Sequence, residues 1–484
     1  MLTYCNPLPI KDIKSAKWLD NKQDPAPEKD YLDHRSISDP SVIYHDGKWI
    51  LYPSYSVAYV TEDFVHWEHV DIGTPKLNYS PAVVEFRGKW YINGHNQSEL
   101  YVADSPLGPF KLLGHFKDIN GEIFKPVDAC FLADNDRLYF YFHHFIEEHD
   151  EDVECLTCTK GVELDPDNPC QFITEPKVIN VFDPSKEWQR MGEYNENERM
   201  GWIEGQWMKK IGSRYYLLYS ACGTITGTYA NGVCYSDEGP LSGFVNQKRH
   251  DPLTRKPYGL MRGAGHGSFV EGPNNTLWVF YTCIFDFYHR YERRIGMDPL
   301  GIDENGELYC PAVTDTPQYA PGVLEHPEKG NSAGLLPLTF MCRPVASSNA
   351  SGRNAIYASD DSILSWWQPA EDDKNPEIIF PLGYRTSYDV SSIRLIWRDI
   401  GMDTDNGINP GPFKYIIEYA TDKDKTQWKT LIDASENEDD LCIDYRQFET
   451  VNAYGIKLKI VGAPKGITPG LVSLTAFGKC HKTK

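Results

Sequence analysis

Three carboxylates stand in register along this chain, and their spacing points to acid–base chemistry. Asp39 opens D-P-S-V-I-Y-H-D-G-K-W-I-L-Y, Asp128 opens D-A-C-F-L-A-D-N-D-R-L-Y-F-Y, and Glu204 opens E-G-Q-W-M-K-K-I-G-S-R-Y-Y-L-L-Y. Two further copies of the phrase open on Ser80 (S-P-A-V-V-E-F-R-G-K-W-Y-I) and His266 (H-G-S-F-V-E-G-P-N-N-T-L-W-V-F-Y). Each opening residue lies eight positions before a turn residue: Gly47, Gly88, Asp136, Gly212 or Asn274. Taken singly, Asp-Pro and Asp-Ala are ordinary turn or strand-start residues. Gathered in one pocket, three carboxylates would drive one another's pKa values apart, which a fold avoids unless chemistry uses it. An ionised carboxylate that activates water, beside a protonated one that supplies a proton, is equipment for hydrolysis.

The elements that would gather them are legible in the same phrases. β-Branched and aromatic residues flank Gly, Asn or Asp pairs, which reads as strand, turn, strand. Recurrence at intervals of roughly 40 to 75 residues is the signature of blade repeats. Five copies predict a five-bladed β-propeller whose first strands line the central channel. Asp39, Ser80, Asp128, Glu204 and His266 should then ring one spot. Outer strands are expected at 61–70, 102–112, 235–244 and 301–308. Residues 1–35 form a polar lead-in of the kind that fastens the first blade to the last. A Glu-, Asp- and Asn-rich insertion at about 146–200 is expected as a surface loop that walls the pocket.

Composition bounds the rest. A length of 484 residues allows two or three domains. A formal charge of −21 argues against nucleic acid or an anionic membrane as partner. No apolar run reaches 18 residues, so no membrane insertion is expected. The first ten residues lack a charged, then apolar leader. The expected compartment is periplasmic or secreted if a signal peptide has been removed, and otherwise cytoplasmic. Twelve cysteines show no framework spacing, and the lone Cys155-x-x-Cys158 pair has no second pair with which to bind zinc. Cys130, Cys222 and Cys283 read as buried small hydrophobes. The 12 Trp and 30 Tyr suit both blade cores and sugar stacking, and composition does not divide the two uses.

The phrases S-D-P-S-V-I (38–43), Y-S-P-A-V (79–83), V-D-A-C-F (127–131), W-I-E-G-Q (202–206) and G-A-G-H-G-S-F-V (263–270) resemble glycoside hydrolase family 43, in order, over about residues 33–320. The resemblance implies an inverting enzyme that removes arabinose, xylose or related sugars from plant polysaccharides. It implies that Asp39 is the general base, that Glu204 is the general acid, and that Asp128 orients the acid and modulates its pKa. The acid would be kept protonated by a neighbouring carboxylate and by the apolar Trp202, Ile203 and Trp207. The resemblance further implies that Arg294 contacts the sugar, with its neighbour Arg293 the alternative. Tyr79 stands where many members carry a tryptophan beside the sugar, which leaves the sugar's identity open. His266 corresponds to an axial residue that in some members meets calcium or a water cluster. It is therefore a candidate metal contact as well as a substrate-side residue, and the alternative is a hydrogen-bonded channel histidine. This reading requires no cofactor and leaves room for a structural calcium in the propeller channel.

After a Pro/Gly-rich connector the chain changes character. A-S-S-N-A-S-G-R-N-A (346–355), S-W-W-Q-P (365–369), Y-I-I-E-Y-A-T-D (415–422) and A-Y-G-I-K-L-K-I-V (453–461) resemble a discoidin-type (factor 5/8 type C) jelly roll. The expected organisation is all-β: a five-bladed propeller over 1–325, a linker over 326–340, and a galactose-binding-type jelly-roll β-sandwich over 341–484. Support of the propeller is the favoured role for the second domain. The favoured activity is exo-acting α-L-arabinofuranosidase on an oligo- or polysaccharide, with β-xylosidase or β-galactosidase activity as the alternative. A catalytically silent, sugar-binding propeller is the competing class.

Overall fold

The computed structural model describes residues 1–15, 33–73, 77–146, 155–285, 291–383 and 386–481. The helical segments among them are short 3-10 turns, and no helix is long and apolar enough to cross a membrane. Alternating apolar residues around tight turns, of two residues in blades one to four and of five in blade five, fold into five four-stranded antiparallel sheets, each in simple sequence order.

The blades begin with the inner strands Ser41–His45, Ala82–Phe86, Val127–Asp134, Glu204–Ile211 and Gly265–Glu271. The inner strand of blade three lies against those of blades two and four, and that of blade five against those of four and one. Between blades one and two, Ser41 Oγ donates to Pro81 O at 2.8 Å. The ring therefore closes, as a five-bladed propeller should. Apolar layers fill the gaps between blades. Phe116, Phe131, Phe140 and Phe142 pack between blades two and three, and Ile50, Tyr52, Val83 and Trp90 between one and two. Burial of such side chains is worth about 1.5–3 kcal/mol each, which explains much of the aromatic excess.

Several boundaries differ from expectation. The outer strands come later, at Glu68–Asp71, Lys111–His115, Val245–Asn246 and Leu308–Tyr309, because the Gly-Pro and aromatic motifs form the turns that precede them. The 146–200 segment is not a single loop. Thr157–Leu164 and Lys177–Val181 complete blade three, and the short hairpin Arg190–Met191 with Asn197–Gly201 follows. Residues 147–154 of that segment lie outside the described residues, as do 16–32 of the lead-in. The described residues of the lead-in form no blade strand, but they pack against blades one and five, with Leu8 N donating to Ile295 O at 2.9 Å. Thr3–Tyr4 pairs with Gln318–Tyr319, downstream of blade five.

The C-terminal unit is a two-sheet antiparallel sandwich. One sheet runs Leu336–Pro337, Thr468–Cys480, Tyr388–Ile400, Ile443–Ala453; the other runs Val345–Ala346, Glu377–Pro381, Gly455–Gly462, Lys414–Ala420, Trp428–Ala434. Its first strand begins at Leu336, inside the expected linker. Trp367 is fully buried in its core. Trp366 is held between the Arg353 and Arg398 guanidinium groups, 3.4 and 3.7 Å from its ring centre.

Candidate active site

The site is built on a kink repeated at the head of each inner strand. Asp39, Ser80, Asp128 and His266 all adopt positive φ, at 52°, 39°, 47° and 36°. Pairing slips at the heads of the inner strands of blades three, four and five, between Val127 and Cys130, Glu204 and Trp207, and Gly265 and Gly267. Such bulges re-aim side chains beside functional sites. In blade four the positive-φ residue is Gly205, at 63°, not Glu204. The eight-residue spacing conceals this slip. Gly47, Gly88 and Asp136 are the second residues of their turns, whereas Gly212 is the first of its own. Glu204 thus stands one residue ahead of the equivalent blade position.

Asp39, Asp128 and Glu204 nevertheless line one cleft of about 550 Å³, with Tyr79, His95, Trp202, His266, Tyr291 and Arg293 among its walls. Met191 and Gly223–Ile225 close another side. The three carboxylates occupy different electrostatic surroundings.

Asp39 accepts from Arg293 through both oxygens, at 3.0 and 3.1 Å, and from Ser38 Oγ at 2.9 Å and Ser54 Oγ. Burial alone would raise its pKa, but Arg293 and then His266 overcome this and hold it below the usual range. Asp128 is likewise buried, and that penalty is exceeded by His95, whose Nδ1 is 2.7 Å from Oδ1, with help from His266 and from Ser80 Oγ at 2.5 Å. It is held far below the carboxylate range.

Glu204 is the opposite case. Burial, reinforced by the Asp128 and Asp39 charges, pushes its pKa well up, although Tyr229 OH donates to Oε1 at 2.7 Å and Trp202 Nε1 to Oε2 at 2.6 Å. Trp202 is itself stacked on His143, with ring centres 5.0 Å apart and planes 20° apart. The result is two anionic carboxylates and one protonated carboxyl in a single cleft, which is an arrangement able to activate water and donate a proton.

His266 turns Nδ1 toward both anions, 3.3 Å from Asp39 Oδ1 and 3.8 Å from Asp128 Oδ2. Calcium takes six to eight oxygen ligands, and among the described residues no group of three or more His, Cys, Asp or Glu side chains is disposed to hold a metal.

The arginine in the cleft is Arg293, not Arg294. Arg293 lies near the Tyr79 and Tyr291 rings, at 5.6 and 5.8 Å, and donates to Thr224 Oγ1 at 2.8 Å. Arg294 faces away, donating to Arg35 O at 2.9 Å and Glu292 Oε1 at 3.2 Å over the Phe285 ring. Successive residues of a strand face opposite sides, so only one of the pair reaches the cleft. His95, Thr224, Tyr229 and Tyr291 were missed. Tyr229 is one of 30 tyrosines, and nothing in its neighbours marks it. His95 follows a strand end, and its partnership with Asp128 exists only across blades.

The sequence matches the description "Glycosyl hydrolases family 43" over residues 11–308. No curated protein sequence matches the chain. Among solved structures, a thermostable family-43 glycoside hydrolase is 20% identical with a TM-score of 0.51, over 66% of this chain and 99% of that one. A structure titled "Glycoside hydrolase" is 18% identical with a TM-score of 0.49, over 91% and 97%. An α-L-arabinofuranosidase from Lactobacillus brevis is 16% identical with a TM-score of 0.46, over 65% and 98%.

Proposed function

The chain belongs to family 43 of the glycosyl hydrolases and is a glycoside hydrolase, and we propose that it removes single arabinose- or xylose-type sugars with inversion, acting first on α-L-arabinofuranosides. In this reading Asp39 is the general base. Its charge is held by Arg293, and the Ser38 and Ser54 hydroxyls fix its orientation. Glu204 protonates the departing oxygen. Asp128 keeps Glu204 protonated, and His95 and Ser80 anchor Asp128. Inverting hydrolysis uses just such a separation of roles between an ionised and a protonated carboxyl.

The observation that carries the proposal is the opposite displacement of Asp39 and Glu204 within one cleft. A sugar-binding propeller without activity would gain nothing from it. The cleft, at about 550 Å³, is of small-molecule size, which favours a terminal sugar or side chain over a long run of polymer. Tyr79, Tyr291 and Trp202 supply aromatic walls for a sugar ring, with Arg293 and His95 as donors to its hydroxyls. The sandwich, which we read as discoidin-like, serves as support in this account, since Trp366 and Trp367 are committed to packing.

The test is hydrolysis of nitrophenyl α-L-arabinofuranoside, β-xyloside and β-galactoside, with the first-formed anomer followed by proton NMR. We expect arabinofuranoside to be the best substrate and its product to appear with inverted configuration. A retained configuration would overturn the mechanism, a preference for xyloside or galactoside would overturn the sugar, and inactivity on all three would favour the silent propeller.

A further inference from the structure

The blade-to-blade connections and the turns between second and third strands lie on the same face as the three carboxylates. This follows from topology, because each inner strand starts at that face and an antiparallel four-stranded blade returns to it after its second and fourth strands. Three such loops meet beside the cleft: 192–196 in the hairpin before blade four, 222–229 within blade four, and 247–264 between blades four and five.

They are bound together by polar contacts. Thr228 Oγ1 donates to Gly192 O at 2.6 Å, Gly227 N to Glu193 Oε2 at 2.9 Å, and Arg255 to Asn195 Oδ1 at 2.7 Å. Gly227 marks the junction. A Cβ there would lie 2.9 Å from Pro257 O and 3.0 Å from Glu193 Oε2. The next residue on each of those loops is a tyrosine, and both are exposed: Tyr194 at 76% and Tyr258 at 67%. Met191, in the strand that leads into the first loop, and Ile225, on the second, line the cleft, and Ile225 is itself 41% exposed. Apolar surface therefore runs out of the cleft onto the middle loop, which Gly227 joins to the two loops that carry the tyrosines.

Large aromatic side chains left in solvent on loops held this firmly are characteristic of binding surfaces. We propose that Tyr194 and Tyr258 form a sugar-binding rim outside the catalytic cleft that receives the part of the glycan on the leaving-group side. The inference rests on the glycosidase reading above. The occupant is set by position, since the three loops flank blade four, whose inner strand begins at Glu204, the group that protonates the departing oxygen. A tyrosine offers such a chain a flat apolar face for the ring and a hydroxyl at its edge. The rim makes the enzyme one that prefers oligosaccharides to small aglycones.

The experiment compares Tyr194→Ala and Tyr258→Ala with wild type on two substrates that share the released sugar. One is the nitrophenyl glycoside that wild type cleaves best, and the other is an oligosaccharide ending in the same sugar. The nitrophenyl activity also reports folding. We expect kcat/KM on the oligosaccharide to fall about tenfold in each variant, as loss of an aromatic contact implies, with nitrophenyl hydrolysis within about twofold of wild type. Tyr→Phe at either position should restore most of the loss. Equal effects on the two substrates, or none on the oligosaccharide, would overturn the rim. A wild type inactive on both would overturn the glycosidase reading and the rim with it.

Discussion

Glu204 shows how the site sets a proton's position residue by residue. Its two hydrogen bonds, from Tyr229 and Trp202, favour the anion, but burial and the charges of Asp128 and Asp39 favour the acid and prevail. Asp128 can exert that effect because His95 and Ser80 keep it ionised. The sign of a mutation follows. Asp128→Asn removes a negative neighbour, so Glu204 ionises more readily and the acid form is lost sooner. The basic limb of the pH–kcat profile should move to lower pH, with kcat reduced at neutral pH and partly recovered at acid pH. An unmoved limb would mean that Asp128 does not act through Glu204. At this scale the three carboxylates were legible because their spacing repeats. The choice between Arg293 and Arg294 was not, because it turns on which face of the strand meets the channel. His95 and Tyr229 were invisible because their partners come from other blades or from a distant part of the blade.

At the scale of the strand, the kinked heads of the inner strands aim the catalytic groups. Gly205 performs this in blade four at φ 63°, and a Cβ there would stand 2.8 Å from Ser220 Oγ and 3.0 Å from the His266 ring. A side chain would suffer both the backbone conformation and the crowding. Gly205→Ala is expected to cost about 1–3 kcal/mol of stability, read by denaturant unfolding. It should also cost more than tenfold in kcat, since a shift of about 1 Å in a catalytic group can cost on the order of 100-fold. Wild-type kcat in this variant would show that the kink does not position Glu204. Strand pairs were readable from alternation around their turns. The slip that moves Glu204 one residue ahead was not, because a turn glycine serves equally well in the first or second turn position. The third and fourth strands of blade three were also hidden, since the polar stretch around them masks the short runs T-C-T-K-G-V-E-L and K-V-I-N-V.

For the whole molecule, the sandwich and the propeller share an interior. Ile363, Trp366, Ile396, Cys442, Ile443 and Val472 join one apolar cluster with residues of blades one, four and five. Arg35, fully buried, bridges Asp399 at 2.8 Å and Asp440 at 2.7 Å, four residues before Asp39. Arg394 returns the tie, donating to Asn6 O and Asp315 O at 2.7 Å each. Removing one member of a buried ion group leaves its partners uncompensated, which costs about 3–5 kcal/mol. Arg35→Ala should lose that much stability in urea titrations and should lower activity, because the segment from Arg35 leads directly to Asp39. An unchanged unfolding midpoint would show that the two domains are energetically independent. Two all-β units were legible from the change in pattern after blade five. Their union was not, since Arg35 and its two aspartates lie more than 360 residues apart in sequence.

The central claim is that Glu204 holds the proton given to the leaving group, and one comparison tests it most directly. Glu204→Gln is assayed on a nitrophenyl glycoside and on a natural glycan that carries the same sugar. A nitrophenolate departs with little need of a proton, whereas a sugar alkoxide does not, and general acid catalysis supplies about 10² to 10⁴-fold. The variant should therefore lose about that factor on the glycan while retaining most of its nitrophenyl activity. Equal loss on both substrates would contradict the assignment.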